Sequence, residues 1–75
     1  MAEFWERCQS PDEPTVKYVE DKARLARRMR MRDEQFTLHG TIQGMRGDVR
    51  HDVLMLQSTT LDALRKAANI IDAST

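Results

Sequence analysis

QSPDEPTVKYVEDKARL, residues 9–25, is the stretch that decides how this chain folds. Its first half is a polar turn with two prolines, and its second half is a charged helix with one apolar stripe. A proline disfavours helical geometry in the residue before it, so Pro11 separates this turn from the preceding segment, whereas Pro14 suits the first position of a helix. We expect the side chains of Gln9 and Glu13 to fix the turn and the helix to supply the core.

Length and composition place the chain among small helical proteins. Its 75 residues make one domain, 1–75, with no room for a second core. Residues that favour helix are frequent, whereas the 5% of aromatic residues and the few β-branched runs disfavour a sheet. The formal net charge is zero, so the chain as a whole is not a polyanion binder.

The single cysteine, Cys8, excludes an internal disulfide and favours a reducing compartment. No apolar run approaches the roughly 20 residues that span a bilayer. The N-terminus also lacks the basic-then-apolar pattern of a signal peptide. We therefore expect a soluble intracellular protein that does not contact a membrane.

Turn signals divide the chain into one short and four longer helices. The predicted helices cover 3–8, 14–31, 34–44 and 47–56, followed by a last helix that Thr59 caps. Asp33 is a good N-cap for the third helix, and Thr59-x-x-Asp62 is a variant of the capping box. The tail from Asp72 is expected to fray. The predicted fold is all-α, a compact bundle.

Apolar residues at helical spacing identify the expected core. In the second helix they are Val16, Val19, Ala23, Ala26 and Met29, joined by Tyr18, Leu25 and the aliphatic stem of Lys22, and in the last helix they are Leu61, Leu64, Ala67, Ala68 and Ile71. The third helix carries a pattern of Phe36, Leu38, His39 and Ile42, and the apolar residues of the fourth are Val49, Val53, Leu54 and Leu56. His39 is expected to be a packed structural histidine. Gly40 costs about 1 kcal/mol relative to alanine inside a helix, which suggests close approach of another helix. Trp5 either contacts the core or lies at an interface.

No set of residues has the spacing that catalysis, a cofactor or a metal would require. His39 and His51 are too far apart for a metal-binding pair on one helix turn, and Cys8 has no second cysteine at ligand spacing. The serines and threonines fall at caps or turns, and no glycine-rich phosphate loop occurs. We therefore expect no enzyme activity, no cofactor, no metal and no small-molecule substrate.

Six cations and no acid lie between positions 22 and 32. Within this run, the candidate contacts to RNA or another polyanion are Lys22, Arg24, Arg27 and Arg28. A solvated helix face explains the same run, because the helix dipole favours cations near a helix C-terminus. No aromatic residue is interleaved with the run for base stacking. A helical RNA-binding or protein-interaction domain that uses residues 22–32 is therefore the alternative function.

The turn and the helix after it resemble the major homology region of retroviral capsid proteins. That motif has glutamine, glycine, two variable residues and glutamate, followed by an aromatic residue a few positions into a helix. Gln9, Glu13 and Tyr18 match it in type and spacing, within a region of about residues 9–28. Ser10 stands in place of the glycine, and Asp21-Lys22 stands where retroviruses often place an arginine.

The rest of the chain resembles the Gag capsid region of Ty3/Gypsy-type retrotransposons and of domesticated Gag proteins of the Arc type. The matching segments, in order, are Leu25-Ala-Arg-Arg28, Phe36, Ile42-Gln-Gly44-Met45, Val49-Arg50 and Thr60-Leu61-Asp-Ala-Leu64 before Ala67-Ala68. No single segment is specific, but the ordered set runs from about Trp5 to Ile71. The resemblance therefore covers nearly the whole chain.

This resemblance implies the C-terminal lobe of a Gag capsid domain, a small helical bundle that dimerises and links capsomers in a virus-like shell. It makes Gln9, Glu13 and Tyr18 structural residues of the turn. The candidate self-association residues are apolar side chains expected at the surface: Trp5, Met45, Met55 and Leu56. The implied partners are a second copy and, through other Gag regions, RNA. The implied location is the cytoplasm, in virus-like particles once assembled, and an adaptor that docks a peptide in a groove is a further alternative.

Overall fold

The computed structural model describes residues 3–74, which form five α-helices and no strand. The helices are α1 (Glu3–Glu6), α2 (Thr15–Arg28), α3 (Glu34–Gln43), α4 (Gly47–Met55) and α5 (Leu61–Ala73). The prediction of an all-α fold with one short and four longer helices is confirmed. Connecting turns are short, so consecutive helices pack closely against one another.

The second helix ends at Arg28, three residues earlier than the predicted end at position 31. The reason is a left-handed backbone at Arg30, where φ is 57°. The N–H groups of Arg30 and Met31 donate to the carbonyls of Arg27 and Ala26, at 3.1 and 3.0 Å. This pair of bonds is a Schellman closure, which satisfies carbonyl groups that the helix end would otherwise leave open.

The helices α2 and α5 form the most extensive helix pair, and they run antiparallel because the end of α5 meets the start of α2. The two carboxylate oxygens of Asp72 accept the backbone N–H groups of Thr15 and Val16, each at 2.9 Å. Pro14 occupies the N-cap position of α2 and makes no side-chain cap bond. Asp72 thus caps a helix far away in sequence, and the prediction that the tail frays from Asp72 is wrong for this residue. Thr75, at the end of that tail, lies outside the described residues.

The core is shared by α2, α3, α4 and α5. Its buried apolar members are Tyr18, Val19, Leu38, Met45, Val49, Val53, Leu64 and Ala68. Full burial of one large apolar side chain contributes about 1.5–3 kcal/mol. Met45 was predicted to be an exposed self-association contact, but it is only 3% exposed and belongs to this cluster. The prediction for Met45 is therefore wrong, because the α3–α4 turn places its side chain in the core.

The buried face of α3 differs from the predicted apolar stripe. It consists of Thr37, Leu38, Gly40 and Thr41, whereas Phe36 and His39 are exposed. The hydroxyls of Thr37 and Thr41 donate to carbonyls four residues earlier, at 3.1 and 2.8 Å. Because these bonds satisfy the hydroxyls within the helix, the threonines can be buried without a further partner. The predictions that Phe36 is buried and that His39 is a packed histidine are wrong.

Two local predictions concern Gly40 and the start of α5. A Cβ on Gly40 would lie 2.5 Å from a ring carbon of Phe4 and 2.9 Å from one of Trp5, so the predicted close approach is confirmed, with α1 as the neighbour. The cap of α5 is Thr60 rather than Thr59, since the Thr60 hydroxyl accepts the N–H of Ala63 at 3.1 Å. The predicted capping box of Thr59 and Asp62 is therefore wrong, because the third helical position is Ala63, which cannot return the bond, and Thr60 makes a simple N-cap.

Candidate functional site

The Gln9 side chain joins the turn to two other segments. Its Nε2 donates to the carbonyl of Glu13 at 3.0 Å and to the hydroxyl of Thr15 at 3.2 Å. Its Oε1 accepts the backbone N–H of Arg46 at 3.3 Å, and its own N–H donates to the carbonyl of Gly44 at 2.9 Å. A buried amide is costly unless it is hydrogen-bonded, and these bonds satisfy Gln9 at 7% exposure. Gln9 therefore fixes the turn against the α3–α4 connection.

The Glu13 carboxylate closes the turn and binds Arg7. Its Oε1 accepts the N–H of Ser10 at 3.2 Å and one guanidinium nitrogen of Arg7 at 2.9 Å, while Oε2 pairs with the other nitrogen. Arg7 also donates to Asp21 of α2 at 3.0 Å. The Arg7 guanidinium holds the pKa of the Glu13 carboxyl below its ordinary value. A bidentate pair of this kind fixes both side chains.

Tyr18 connects the turn to the hydrophobic core. It is fully buried, and its hydroxyl donates to the carbonyl of Thr41 at 2.7 Å. Burial raises the pKa of this hydroxyl above its ordinary value. A Cβ on Gly44 would overlap the same hydroxyl and come within 3.0 Å of the Arg7 carbonyl. The structure thus brings Gln9, Glu13 and Tyr18 together as internal contacts around the α3–α4 connection.

Sequence reasoning missed two residues of this arrangement, Arg7 and Asp72. Both act through partners in other segments: Arg7 pairs with Glu13 and Asp21, and Asp72 caps α2. Neither residue belongs to a recognisable local motif. The expectation that Glu13 fixes the turn was the one signal that could have prompted a search for a nearby cation as its partner.

Lys22 is a core residue rather than a surface cation. It is 1% exposed, and its Nζ donates to the carbonyl of Phe4 and lies 4.1 Å from the centroid of the Phe4 ring. Burial lowers the pKa of its ammonium group. The prediction that Lys22 contacts a polyanion is therefore wrong, because its charged group is used to dock α1 on α2.

The other predicted polyanion contacts, Arg24, Arg27 and Arg28, lie at the surface. Arg24 pairs with Asp21 at 3.2 Å, and Arg28 pairs with Glu3 at 3.8 Å. Exposed ion pairs of this kind contribute about 0–1 kcal/mol, so they hold these side chains weakly. The structure therefore leaves three of the four predicted cations accessible to an external anion.

Large apolar side chains are exposed in two places on the described surface. Trp5 and Phe36 form one pair, with ring centroids 5.1 Å apart in an edge-to-face arrangement. The second group contains Leu54, Met55 and Leu56 at the end of α4, with Ile70 of α5. Of the predicted self-association residues, Met55 and Leu56 thus lie together, whereas Trp5 lies in the other group.

Met55, Leu56 and Ile70 line a groove of about 360 Å³ between α4 and α5, which we call the α4–α5 groove. The less exposed Val49 and Ile71 also line it. Charges of both signs surround these apolar residues, from Arg46, Asp48 and Asp52. An apolar patch with a polar rim is the composition of a protein-interaction surface.

No family model matches the chain, and no curated protein or solved structure matched it in the comparisons. Within residues 3–74, none of the helices has the length and apolar character needed to cross a membrane. In the same part of the chain, no three His, Cys, Asp or Glu side chains come together as a potential metal site.

Proposed function

We propose that the chain is a structural self-association module of a Gag-type capsid protein, whose copies pair through the α4–α5 groove and link capsomers in a virus-like shell. The observation that carries this proposal is the exposure of Met55, Leu56 and Ile70 around one groove. Removing a side chain of this size from water contributes about 1.5–3 kcal/mol. A partner that covered Met55, Leu56 and Ile70 would gain part of this free energy from each of the three side chains.

A second copy of the chain is the occupant that the α4–α5 groove favours. The formal net charge of zero means that two copies approach without net repulsion. In a two-fold pair, every contact occurs twice, so Arg46 of each copy can face Asp52 of the other, while Arg46 and Asp48 contact each other within one copy at 3.8 Å. Small domains also gain more from association, because they bury a smaller fraction of their own surface.

The contacts of the turn support the Gag part of the proposal. The resemblance implies that the glutamine and glutamate of the motif fix the turn through hydrogen bonds to the backbone. Here Gln9 bonds to backbone groups of Glu13 and Arg46, and Glu13 bonds to the N–H of Ser10. The all-helical fold is compatible with a capsid lobe. In this role the chain needs no catalytic group and no cofactor, and it acts in the cytoplasm.

A charge placed in the groove tests the pairing. Met55→Glu puts a carboxylate on both facing copies, so we expect the association constant in sedimentation equilibrium to fall at least about tenfold, which is 1.4 kcal/mol. Met55 is 70% exposed, so the melting temperature of the monomer should change little. Phe36→Glu is the matched control, an exposed apolar residue outside the groove that should leave association unchanged.

Equal weakening by Met55→Glu and Phe36→Glu would contradict pairing through the groove. Trp5 also lies outside the groove, so Trp5→Ala is expected to leave the association constant unchanged. A loss of association in both Trp5→Ala and Phe36→Glu, but not in Met55→Glu, would move the interface to the Trp5–Phe36 pair. The three variants together therefore locate the interface as well as detect it.

The capsid role is tested in the parent gene and its full-length product. The proposal expects a second helical lobe before this region and a Cys/His zinc knuckle after it. The full-length protein should form particles visible by negative-stain electron microscopy, and Met55→Glu should abolish them. Lys17→Gln, an exposed substitution outside the groove, should leave particle formation intact. Normal particles from Met55→Glu would contradict the link between the groove and the shell.

A further inference from the structure

Four exposed arginines mark the end of α2 and the turn after it: Arg27, Arg28, Arg30 and Arg32. Within residues 3–74, Arg27, Arg30 and Arg32 have no carboxylate within 4.0 Å. Arg28 has only the 3.8 Å contact with Glu3, in which both side chains are more than half exposed. A chain of zero net charge thus concentrates positive charge at one end, which we call the arginine end.

Four acids close in sequence to the arginine end are bound to other groups. Asp33 caps α3, Asp21 pairs with Arg7 and Arg24, Glu34 accepts the N–H of Leu61, and Glu20 pairs with Arg65. These contacts turn the carboxylates toward partners other than the four arginines. Within the described residues, three of the four arginines therefore make no ion pair, and Arg28 makes only the exposed contact with Glu3.

The backbone at Arg30 gives no reason for an arginine. Its φ of 57° is the left-handed conformation, which costs a residue with a Cβ roughly 1 kcal/mol and costs glycine almost nothing. Glycine is the usual residue at this position of a helix end. The backbone conformation therefore does not explain the arginine at this position, and we look for the explanation in its side chain.

Two exposed aromatic rings belong to the segments that adjoin the arginine end. Phe36 follows Arg32 by four residues in the first turn of α3, and its ring packs on that of Trp5. Trp5 belongs to α1, whose first residue Glu3 contacts Arg28. The tertiary structure thus supplies aromatic rings that the sequence between positions 22 and 32 lacks. Bases stack on such rings, whereas arginines bind phosphates.

We propose that the arginine end and the Trp5–Phe36 pair together bind single-stranded nucleic acid without sequence preference, the arginines on phosphates and the rings on bases. An acidic peptide would use the arginines but would leave the two rings without a partner, so the exposed rings favour a nucleic acid. This surface shares no residue with the lining of the α4–α5 groove. It is therefore independent of the self-association proposed above.

Trp5 is the only tryptophan, so its fluorescence reports on this surface directly. A single-stranded RNA of about 20 uridines, titrated into the protein, should quench Trp5 emission as bases stack. If four arginines bind phosphates, the logarithm of the binding constant falls with the logarithm of salt concentration with a slope of about −3. The binding constant should then fall about 50-fold between 50 and 200 mM salt.

Two variants with equal loss of charge locate the binding. Arg27→Gln/Arg32→Gln should halve the salt slope, to about −1.4, and weaken binding about tenfold at 50 mM salt. Lys17→Gln/Lys66→Gln removes two exposed cations elsewhere and should retain the slope of the wild type. Equal losses in both variants would mean general attraction to charge and would overturn the proposal.

Arg30→Gly tests RNA binding in a variant whose stability is not expected to fall. Glycine suits the left-handed backbone, so the melting temperature should rise or stay the same while RNA binding weakens. Unchanged RNA binding in this variant would overturn the role of Arg30. Polyglutamate tests whether any polyanion binds this surface. If polyglutamate binds the protein as tightly as the RNA does, the proposal is overturned. It is also overturned if the RNA binds and the emission of Trp5 does not change.

Discussion

The turn between α1 and α2 and the α4–α5 groove use their side chains in opposite ways. In the turn, the polar groups of Gln9 and Glu13 are largely buried, and each bonds to partners in the same chain. In the groove, the apolar side chains of Met55 and Ile70 face water. Most proteins bury apolar groups and expose polar ones, so both regions depart from the usual distribution.

The difference teaches where each region finds its binding partners. The turn is complete within one copy, because Arg7, Ser10 and Arg46 supply its hydrogen bonds and charges. In the groove, nothing in the described chain covers the apolar residues inside the polar rim, and we propose that a second copy covers them. Substitutions in the turn should therefore change the stability of a single copy, and substitutions in the groove should change association between copies.

Among substitutions in the turn and the groove, the largest effect is expected for Gly44→Ala. The added methyl group would overlap the Tyr18 hydroxyl and crowd the Arg7 carbonyl, so the free energy of unfolding should fall by about 3 kcal/mol. Gly47→Ala is the matched control, because no atom lies within 4 Å of its Cβ position. The control should be neutral or stabilising by up to about 1 kcal/mol in urea denaturation. Similar losses in both variants would mean that the turn is not tightly packed.

Removal of the Glu13 carboxylate should have the next largest effect. Glu13→Ala removes the acceptor of the Ser10 N–H and the two-point partner of Arg7, which keeps only its other acceptors such as Asp21, so the free energy of unfolding should fall by about 1–3 kcal/mol. Asp12→Ala removes the neighbouring acid, which makes no ion pair within residues 3–74, and should cost less than about 0.5 kcal/mol. An unchanged melting curve for Glu13→Ala would exclude its structural role.

The contribution of Glu13 should also depend on pH. Arg7 lowers the pKa of Glu13 in the folded state relative to about 4.3 in the unfolded chain. The stabilisation is therefore complete above the unfolded value and is lost as the pH falls through the folded one. The stability difference between wild type and Glu13→Gln, measured by urea unfolding, should shrink from pH 7 to pH 3. A constant difference would mean that the charge of Glu13 does not stabilise the turn.

The smallest effect on a single copy is expected in the groove. Ile70 is more than half exposed, so Ile70→Ala should change the free energy of unfolding by less than about 0.5 kcal/mol. Leu64→Ala, on the same helix but fully buried, should cost about 2–5 kcal/mol. A large loss of stability in dilute Ile70→Ala would show that the groove residues pack within one copy. That result would remove the contrast between the two regions.

The sequence was sufficient to predict features that depend on residues close together along the chain. Pro11 and Pro14 indicated the turn, apolar spacing indicated the helices, and Gly40 indicated a close contact. Each of these signals acts within one or two helix turns. Boundaries still moved by up to three residues, because the end of α2 depends on the left-handed backbone at Arg30.

Features that depend on distant partners were missed or predicted wrongly. Lys22 is buried because α1 folds over it, and Met45 is buried because the α3–α4 turn places it in the core. Asp72 is ordered because it caps the start of α2, which lies more than 50 residues away in the chain. No local pattern reveals such partners. For the same reason, the sequence did not predict the contact between the rings of Trp5 and Phe36.

Sedimentation equilibrium of the wild-type chain, from micromolar to millimolar concentration, tests the central claim most directly. Pairing through the α4–α5 groove predicts a reversible monomer–dimer equilibrium in this range. It also predicts that Met55→Glu weakens the equilibrium, whereas Phe36→Glu does not. A wild-type chain that remains strictly monomeric at millimolar concentration would contradict the claim that the groove is completed by a second copy.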